Sequence, residues 1–337
     1  KTSRWVSMTW SRTSFAVHPS QGLGFSQWSV WRFAIRWVKV STWPRNCVIR
    51  VSMNASVLVG REKVLNEYDT FFLERAHLAD DRGFSPPVYR FAPRAGLADV
   101  VRRFWVPVWD LAPGRESIQR VLQYPVCLIT VAADHASLVG PTSGLATKRL
   151  TGRGWTVGAM LQPAAGRQLL GADVSTLVDG QIALQDSTLT EVPRLVADIR
   201  ASMTNPDDPA ARESAVAVME TALRRLTPVD PEGLAVNTIV RTIENDPTIQ
   251  RVSQICERFG MNERALQRLA ARRIGLTPKW LIRRRRLHEA SWQLLGDAAL
   301  ADLAASLGYS DQAHFQRDFR SATGITPATY ARQRGAE

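Results

Sequence analysis

Two short stretches of the sequence carry the same residue types in the same order. Gln267-Arg268 and Gln316-Arg317 each lie eight residues before a Gly-[Leu/Ile]-Thr-Pro phrase, at a constant offset of 49 residues. An arginine can donate two hydrogen bonds to guanine O6 and N7, and a glutamine can form two with the edge of adenine. Side chains of these types, held outward on a helix, can therefore read base pairs in the major groove of DNA.

The sequence around the first phrase predicts a helix, a tight turn and a second helix. Gly260 permits the turn, and Asn262 is a favourable N-cap for the second helix. The first helix has a buried face made of Val252, Ile255 and Cys256. The inward residues of the second helix are Leu266, Leu269 and Ala270, and its outward residues are Arg264, Gln267 and Arg268.

The second copy follows the same plan over residues 299–324. Gly308-Tyr309 forms the turn, and we expect Ser310 to cap the second helix. Phe315 and Phe319 point inward. The outward residues are Gln312, Gln316 and Arg317. Two copies would let one chain read two successive segments of the major groove.

Residues 279–295 predict a helix between the two copies, with Thr277 as its N-cap and Pro278 in its first turn. About 17 residues at 1.5 Å each span ~26 Å, which can hold two recognition helices near one duplex turn, roughly 34 Å, apart. The run Arg283–Arg286 must spread over every face of such a helix. We expect some of these arginines to be solvated or paired, for instance with Glu289, and one or two to contact phosphates.

The stretch from Thr248 to Gln333 resembles the paired helix-turn-helix DNA-binding domain of the AraC/XylS family of bacterial transcription regulators. The two Gly-[Leu/Ile]-Thr-Pro phrases carry this resemblance, together with the linker phrase Arg286-Leu287…Ala290…Leu294-Leu295. Residues 300–333, "LADLAASLGYSDQAHFQRDFRSATGITPATYARQ", are close to the family's second motif. The resemblance covers about a quarter of the 337 residues.

The resemblance implies which side chains meet DNA. Base contacts fall to the outward residues of both recognition helices: Arg264, Gln267, Arg268, Gln312, Gln316 and Arg317. Phosphate contacts, which fix position without carrying sequence information, are assigned to Asn262, Arg272, Arg273, Ser310 and His314. Two residues depart from the family pattern. Ala270 stands where an aromatic residue is common, and the small Ala313 stands where a polar residue is frequent.

The middle of the chain, residues 66–228, predicts a β-rich domain that ends in helices. Strand-like runs lie in three places: 121–133, 154–166 and 175–184. The third run contains an Asp179-Gly180 turn. Asp208 before Pro209 starts a late helix, whose apolar face is either core or a dimer contact.

This domain bears a fainter resemblance to a cupin-like β domain, the N-terminal sensing domain of some AraC/XylS regulators. The matching stretches are 97–111, 121–131 and 160–180. A cupin metal site needs clustered histidines, and this part of the sequence has only His77 and His135, so the resemblance implies no metal and no cofactor. We expect the tryptophans here to be core residues rather than ligand contacts: Trp105, Trp109 and Trp155.

Residues 227–233 contain two prolines and a glycine and predict a linker before an all-α domain at 234–333. Residues 1–60 are basic and rich in tryptophan and contain no acidic residue. We interpret this segment as disordered or as lying upstream of a true start near Met53. The alternatives are a basic amphipathic helix at a membrane surface and an organelle transit peptide.

Composition narrows the class of protein. The sequence has no run near the ~18 apolar residues of a membrane span. Cys47, Cys127 and Cys256 are too far apart for a zinc site and fit a reducing cytoplasm. The motifs of serine hydrolases, zinc proteases and nucleotide-binding loops are missing from it. Much of the net charge of +12 lies in residues 1–61, so binding to nucleic acid by charge alone is disfavoured.

The sequence therefore predicts an α+β protein with a β-rich sensing domain and a bipartite helical domain. We expect a cytoplasmic, sequence-specific transcription regulator of the AraC type that binds promoter DNA. The expected partners are RNA polymerase, an unknown small-molecule effector of the β domain, and a second copy of the chain. The alternative is a DNA-modifying or β-barrel enzyme that carries an AraC-like tail, which the missing catalytic motifs disfavour.

Overall fold

The computed structural model of the chain describes residues 77–78, 80, 83–121, 124–294 and 299–334. All of these belong to one unit that runs from Glu62 to Glu337. The segment 1–60 and its interpretation lie outside the described residues. Within them the molecule is α+β, with its strands between residues 77 and 183 and most of its helices after residue 191, which confirms the predicted fold class.

The described strands form two antiparallel sheets. The smaller sheet has the order β1-β4-β7, where the strands are β1 (His77–Leu78), β4 (Glu116–Val121) and β7 (Ala146–Thr151). The larger sheet consists of β2 (Val88–Phe91), β3 (Val101–Asp110), β5 (Leu128–Ala132), β6 (Ala136–Val139), β8 (Arg153–Leu161) and β9 (Gln181–Ala183). Its order is β2-β3-β8-β5-β6-β9.

Strand β3 shows why the larger sheet has two different faces. Successive side chains of a strand point to opposite sides of the sheet. The residues that pack into the main core are Phe104, Val106 and Val108. The alternating residues Arg103, Trp105, Pro107 and Trp109 line a cavity that also contacts β4 and β7. One face of the sheet is therefore core, and the other is the wall of a cavity between the two sheets.

Three helices cover the core face of the larger sheet: α1 (Pro163–Leu170), α2 (Val192–Ser202) and α3 (Pro209–Leu223). Leu169, Ile199 and Met219 from these helices are buried in the same cluster as the apolar side of β3. Asp208 caps α3, as predicted, by accepting a hydrogen bond from the Ala210 N–H at 2.9 Å. The apolar face of α3 is therefore core, which is one of the two alternatives that the sequence leaves open.

The predicted strand runs are wrong in part because helices and loops replace some of their residues. Strand β8 ends at Leu161, and residues 163–166 begin α1, since proline is favoured in the first turn of a helix. The run 175–184 begins inside a short 3-10 helix, Val174–Leu177, which precedes its turn and β9. The run 121–133 is divided between the end of β4 and the whole of β5. Apolar composition alone does not distinguish these segments.

The C-terminal region is helical. Its helices are α4 (Pro231–Asn245), α5 (Val252–Phe259), α6 (Glu263–Arg273), α7 (Pro278–Gln293), α8 (Leu300–Ser306), α9 (Gln312–Thr323) and α10 (Pro327–Arg334). One hydrophobic cluster joins α4, α5, α6 and the start of α7, and a second joins the rest of α7 to α8, α9 and α10. Each predicted helix-turn-helix unit therefore has its own core, and α7 contributes to both.

Helix α4 connects the helical region to the β domain through hydrogen bonds. Its N-cap, Asp230, accepts a hydrogen bond from the Gly233 N–H at 2.8 Å, so the predicted linker 227–233 contains the first residues of this helix. The buried Asn237 side chain accepts from the Ala164 N–H and donates to the Asp99 carbonyl, both at 2.9 Å. Both of its amide groups are thus paired, which a buried polar side chain requires for stability.

Candidate nucleic-acid interface and ligand cavity

The first predicted recognition helix, α6, begins at the predicted cap. The side-chain oxygen of Asn262 accepts a hydrogen bond from the Ala265 N–H at 2.8 Å. The predicted inward residues of α6 are all buried: Leu266, Leu269 and Ala270. The predicted base-reading residues Arg264, Gln267 and Arg268 are exposed. Because they are three and four positions apart, these three side chains share one face of the helix.

The second predicted recognition helix, α9, begins one residue later than the sequence predicts. Its N-cap is Asp311 and not Ser310, because the Asp311 carboxylate accepts a hydrogen bond from the His314 N–H at 2.7 Å. That hydrogen bond lowers the pKa of Asp311. The Ser310 hydroxyl instead contacts Asp311 Oδ2 and His314 Nδ1, each at 3.1 Å. A carboxylate is favoured here since it also interacts with the helix dipole.

The rest of α9 follows the predicted pattern. Phe315 and Phe319 are fully buried. Among the predicted base-reading residues, Gln312 and Arg317 are exposed, and Gln316 is half-buried. Each unit thus presents arginine and glutamine side chains on the side of its second helix that faces away from the core.

The predicted phosphate-contacting residues fall into two groups. Asn262, Ser310 and His314 are exposed at the beginnings of α6 and α9. In contrast, Arg273 is buried and donates to Asp230 at 2.7 Å and to Glu232 at 2.9 Å, and Arg272 donates to Glu232 at 2.9 Å. The hydrogen bond from Arg273 lowers the pKa of Glu232. In this arrangement, the second group connects α6 to the start of α4.

The four consecutive arginines of α7 hold neighbouring elements together. Arg283 pairs with Asp318 of α9 at 2.5 Å. Arg285 pairs within α7 with Glu289 at 2.9 Å, the partner that the sequence suggests, and donates to the Ile249 carbonyl at 3.2 Å. The other two contact different parts of the molecule. Arg286 donates to the Gln250 carbonyl at 3.1 Å, and Arg284 lies 5.0 Å from the centre of the Tyr124 ring. The run therefore joins α7 to both helix-turn-helix units and to the β domain.

The glycine of each repeated phrase lies where the helical region contacts the β domain. Gly275 and Gly324 have positive φ angles, 82° and 78°, which glycine adopts without steric cost. A Cβ atom at Gly275 would lie 2.8 Å from Val178 Cγ2, and one at Gly324 would lie 3.0 Å from Leu145 Cδ2. The repeated glycine therefore ends each recognition helix and also allows that end to approach the β domain closely.

Hydrogen bonds connect α7 to the wall of the cavity. The Trp280 indole N–H donates to the Ser143 carbonyl at 2.8 Å. The N–H and hydroxyl of Ser143 in turn donate to the Asp179 carboxylate at 2.8 and 2.6 Å. Since Asp179 lines the cavity, the helix between the two helix-turn-helix units is linked to that cavity through one loop.

The cavity has a volume of about 510 Å³, within the range of roughly 300–1,000 Å³ that is typical of small-molecule sites. Two indole rings form part of its wall. Trp105 lies against Gly158 and Trp109 lies against Gly154, in positions where a Cβ atom on either glycine would be 2.4 Å from the ring. The two glycines of β8 therefore allow the tryptophans of β3 to lie close to the backbone of the neighbouring strand.

Arg103 lies on the same face of β3. Its side chain is 7% exposed, and its Nη2 donates to the Met160 sulfur at 3.6 Å. Its Nη1 has no hydrogen-bond partner among the described residues. Burial lowers the pKa of Arg103 to about 10, so the group stays protonated at neutral pH. Its guanidinium carbon lies 5.5 Å from the centre of the Tyr124 ring, which also faces Arg284.

Sequence reasoning missed the cavity. The expectation of a core position holds for Trp155 but is wrong for Trp105 and Trp109, which line the cavity. The signal was present in the alternation of β3, since a period of two places Arg103 on the same side as these tryptophans. A charged residue on that side argues against a core face.

Two family models match the chain. Residues 255–333 match a family described as a helix-turn-helix domain. Residues 89–183 match a domain of unknown function, DUF6597. The first match begins within α5 and extends into α10, and the second begins in β2 and ends with β9. The helical region and the β domain each have counterparts in other proteins.

Known proteins resemble this chain at low identity. The transcriptional activator NphR of Rhodococcus sp is 26% identical over 153 residues, and the match spans 41% of this chain and 46% of that protein. The C-terminal domain of AraT, a response regulator from Geobacillus stearothermophilus, is 21% identical, with a TM-score of 0.27 over 32% of this chain and 88% of that one. ToxT from Vibrio cholerae is 13% identical, with a TM-score of 0.36 over 68% of this chain and 97% of that one.

In the described part of the chain, all helices are too short or too polar to cross a membrane. This part also contains no cluster of three or more His, Cys, Asp or Glu side chains that could hold a metal ion.

Proposed function

We propose that the chain is a sequence-specific transcription regulator and not an enzyme, because its C-terminal region is a helix-turn-helix domain of the AraC/XylS family. The observation that supports this most strongly is the pair of helix-turn-helix units in one chain, each with arginine and glutamine exposed on its second helix. Helix α7, with 16 residues, is about 24 Å long and separates the units. The chain thereby reads two successive segments of the major groove.

The proposed base contacts come from both recognition helices: Arg264, Gln267, Arg268, Gln312, Gln316 and Arg317. Asn262, Ser310 and His314, which are exposed at the helix beginnings, contact phosphates, where N–H groups and the helix dipole favour an anion. Arg272 and Arg273 also belong to the proposed phosphate set. They reach DNA only after releasing Glu232 and Asp230, so their contacts belong to a different arrangement of the protein.

The remaining roles in the proposal concern control. The β domain over residues 66–228 binds a small-molecule effector in its cavity, and the helical domain over 234–333 binds a promoter and contacts RNA polymerase. The chain acts in the cytoplasm, with homodimers as the proposed assembly. For control to occur, the effector must bind two arrangements of the protein with different affinities.

A binding experiment with the full chain tests this function. Fluorescence anisotropy would compare the duplex upstream of the protein's own gene with a scrambled duplex across a salt series, followed by selection from random sequences. We expect the selected site to bind ~10³-fold or more tightly than the scrambled duplex at physiological salt. Equal and steeply salt-dependent binding to all sequences, with no site enriched by selection, would contradict the proposal, since such binding arises from phosphate contacts alone.

A further inference from the structure

The cavity between the two sheets has an uneven distribution of charge. Two arginines and one lysine line it, Arg90, Arg103 and Lys148, against one carboxylate, that of Asp179. Asp179 already accepts two hydrogen bonds from Ser143. The electrostatic field inside the cavity therefore favours an anion.

Arg103 is the basic group most deeply placed in that cavity. Removing a guanidinium group from water is unfavourable unless an anion or several acceptors compensate. Within the described residues its guanidinium group donates to a thioether sulfur, lies over the ring of Tyr124 and shares a hydrogen bond with the Tyr124 side chain, while its Nη1 has no partner. A carboxylate matches the fork of donors that a guanidinium presents. The missing acceptor is therefore of the kind that a bound carboxylate supplies.

The wall beside Arg103 selects the rest of the ligand. Trp105 and Trp109 lie against Gly158 and Gly154 and line the cavity, so two aromatic rings form part of its wall. Planar apolar surfaces of this kind favour a stacked ring over a flexible chain.

We propose that the cavity binds a small organic carboxylate with a planar, apolar body, whose carboxylate pairs with Arg103 and whose ring lies against Trp105 and Trp109. Its role as an effector rests on the proposed function, but its binding does not. The Tyr124 ring lies near Arg103, and its centre is 5.0 Å from the guanidinium carbon of Arg284 in α7. The carboxylate end of the ligand is therefore close to the helix that joins the two helix-turn-helix units.

Isothermal titration of the full chain with three probes tests the ligand class. The probes are 2-naphthoate, its uncharged isostere 2-naphthamide, and the aliphatic carboxylate decanoate. We expect one equivalent of 2-naphthoate to bind, with the amide at least about tenfold weaker, the size of one charge-assisted hydrogen bond. Decanoate is expected to bind more weakly than 2-naphthoate. Equal affinities for naphthoate and naphthamide, or no binding by either, would overturn the proposal, and tighter binding of decanoate would overturn its planar part.

The variant Arg103→Met assigns the effect to one residue. Methionine fills much of the same space beside Met160, and removing an unpaired buried charge is not destabilising, so the melting temperature of the unliganded chain should not fall. We expect this variant to lose about tenfold in naphthoate affinity and to bind the amide as the unaltered chain does. Arg194→Gln, at an exposed arginine of α2, is the matched control. Because no DNA is present, a failure of DNA recognition leaves this result unaffected.

Discussion

At the scale of single residues, the surroundings of each guanidinium group decide the role of an arginine. Arg268 and Arg317 are exposed on recognition helices, where a flexible cation can reach a base edge. Arg273 and Arg283 are paired with carboxylates and hold helices together. Arg103 is buried beside a cavity and has an unused donor. The residue type is the same throughout. Burial and the available acceptors separate the arginines proposed to contact bases, those that join helices and the one proposed to bind a ligand.

The exposed arginines lead to a prediction about specificity. Arg268→Ala and Arg317→Ala should each weaken binding to the selected DNA site by about 1–3 kcal/mol and relax the preference at one base pair. Anisotropy with a set of single-base-pair variants of the site measures both effects, and Arg194→Ala, remote from both helices, serves as the control. A loss that is equal for every sequence would instead place these two arginines on phosphates.

At the scale of elements, the contact between α4 and α6 depends on the protonation state of Glu232, which pairs with Arg273. The hydrogen bond from Arg273 lowers the pKa of Glu232 below its ordinary value of 4.5. A carboxylate with a lowered pKa contributes stability above its unfolded pKa, and this stability is lost as the pH falls through the folded pKa. The contact should therefore be strongest at neutral pH.

Glu232→Gln should reduce the free energy of unfolding at pH 7 by about 1 kcal/mol, because the variant loses the charge that strengthens the hydrogen bond from Arg273. The loss is small because this carboxylate is partly exposed to solvent. The difference from the unaltered chain should shrink as the pH falls below about 4.5. Urea unfolding at several pH values measures it, with Glu213→Gln, at an exposed position of α3, as the control. A deficit that stays constant down to pH 3 would show that Glu232 does not act through its charge.

Two glycines of the first helix-turn-helix unit allow a second test at this scale. Gly260 and Gly275 both have positive φ angles, so alanine at either position should cost about 1–2 kcal/mol in backbone strain. A Cβ atom at Gly260 meets no atom within 4 Å, whereas one at Gly275 meets Val178 and the Val174 backbone. Gly275→Ala should therefore cost a further 1–3 kcal/mol, roughly the cost of overpacking. Equal losses in urea unfolding would mean that the α6 end does not press on the β domain in solution.

The elements themselves were predictable to different degrees. Helices with a single apolar stripe, such as the one carrying Phe315 and Phe319, were placed correctly because their period is unambiguous. The cap of α9 was misassigned to Ser310, since Ser310 and Asp311 are both good caps and only the hydrogen bond to His314 decides between them. The cavity was missed because its wall combines tryptophans with glycines on a strand distant in sequence, a pairing that only the sheet reveals.

At the scale of the whole molecule, the β domain touches the helical region at several separate places. Gly275 approaches Val178, Gly324 approaches Leu145, and Trp280 donates to Ser143. Together with the Tyr124–Arg284 contact, these contacts reach both helix-turn-helix units and the helix between them. We therefore expect a change in the cavity wall to act on the relative orientation of the units and not on one unit alone.

This arrangement has a consequence for the DNA. If the β domain fixes both recognition helices, the two halves of the binding site must keep one rotational phase. One inserted base pair turns the second half by about 34° and moves it by about 3.4 Å, since a duplex turn contains 10–10.5 base pairs over roughly 34–36 Å. A single insertion should therefore lower affinity sharply. A ten-base-pair insertion restores the phase but not the distance, so it should not recover the affinity. Binding would then depend on the distance between the two halves of the site as well as on their sequence.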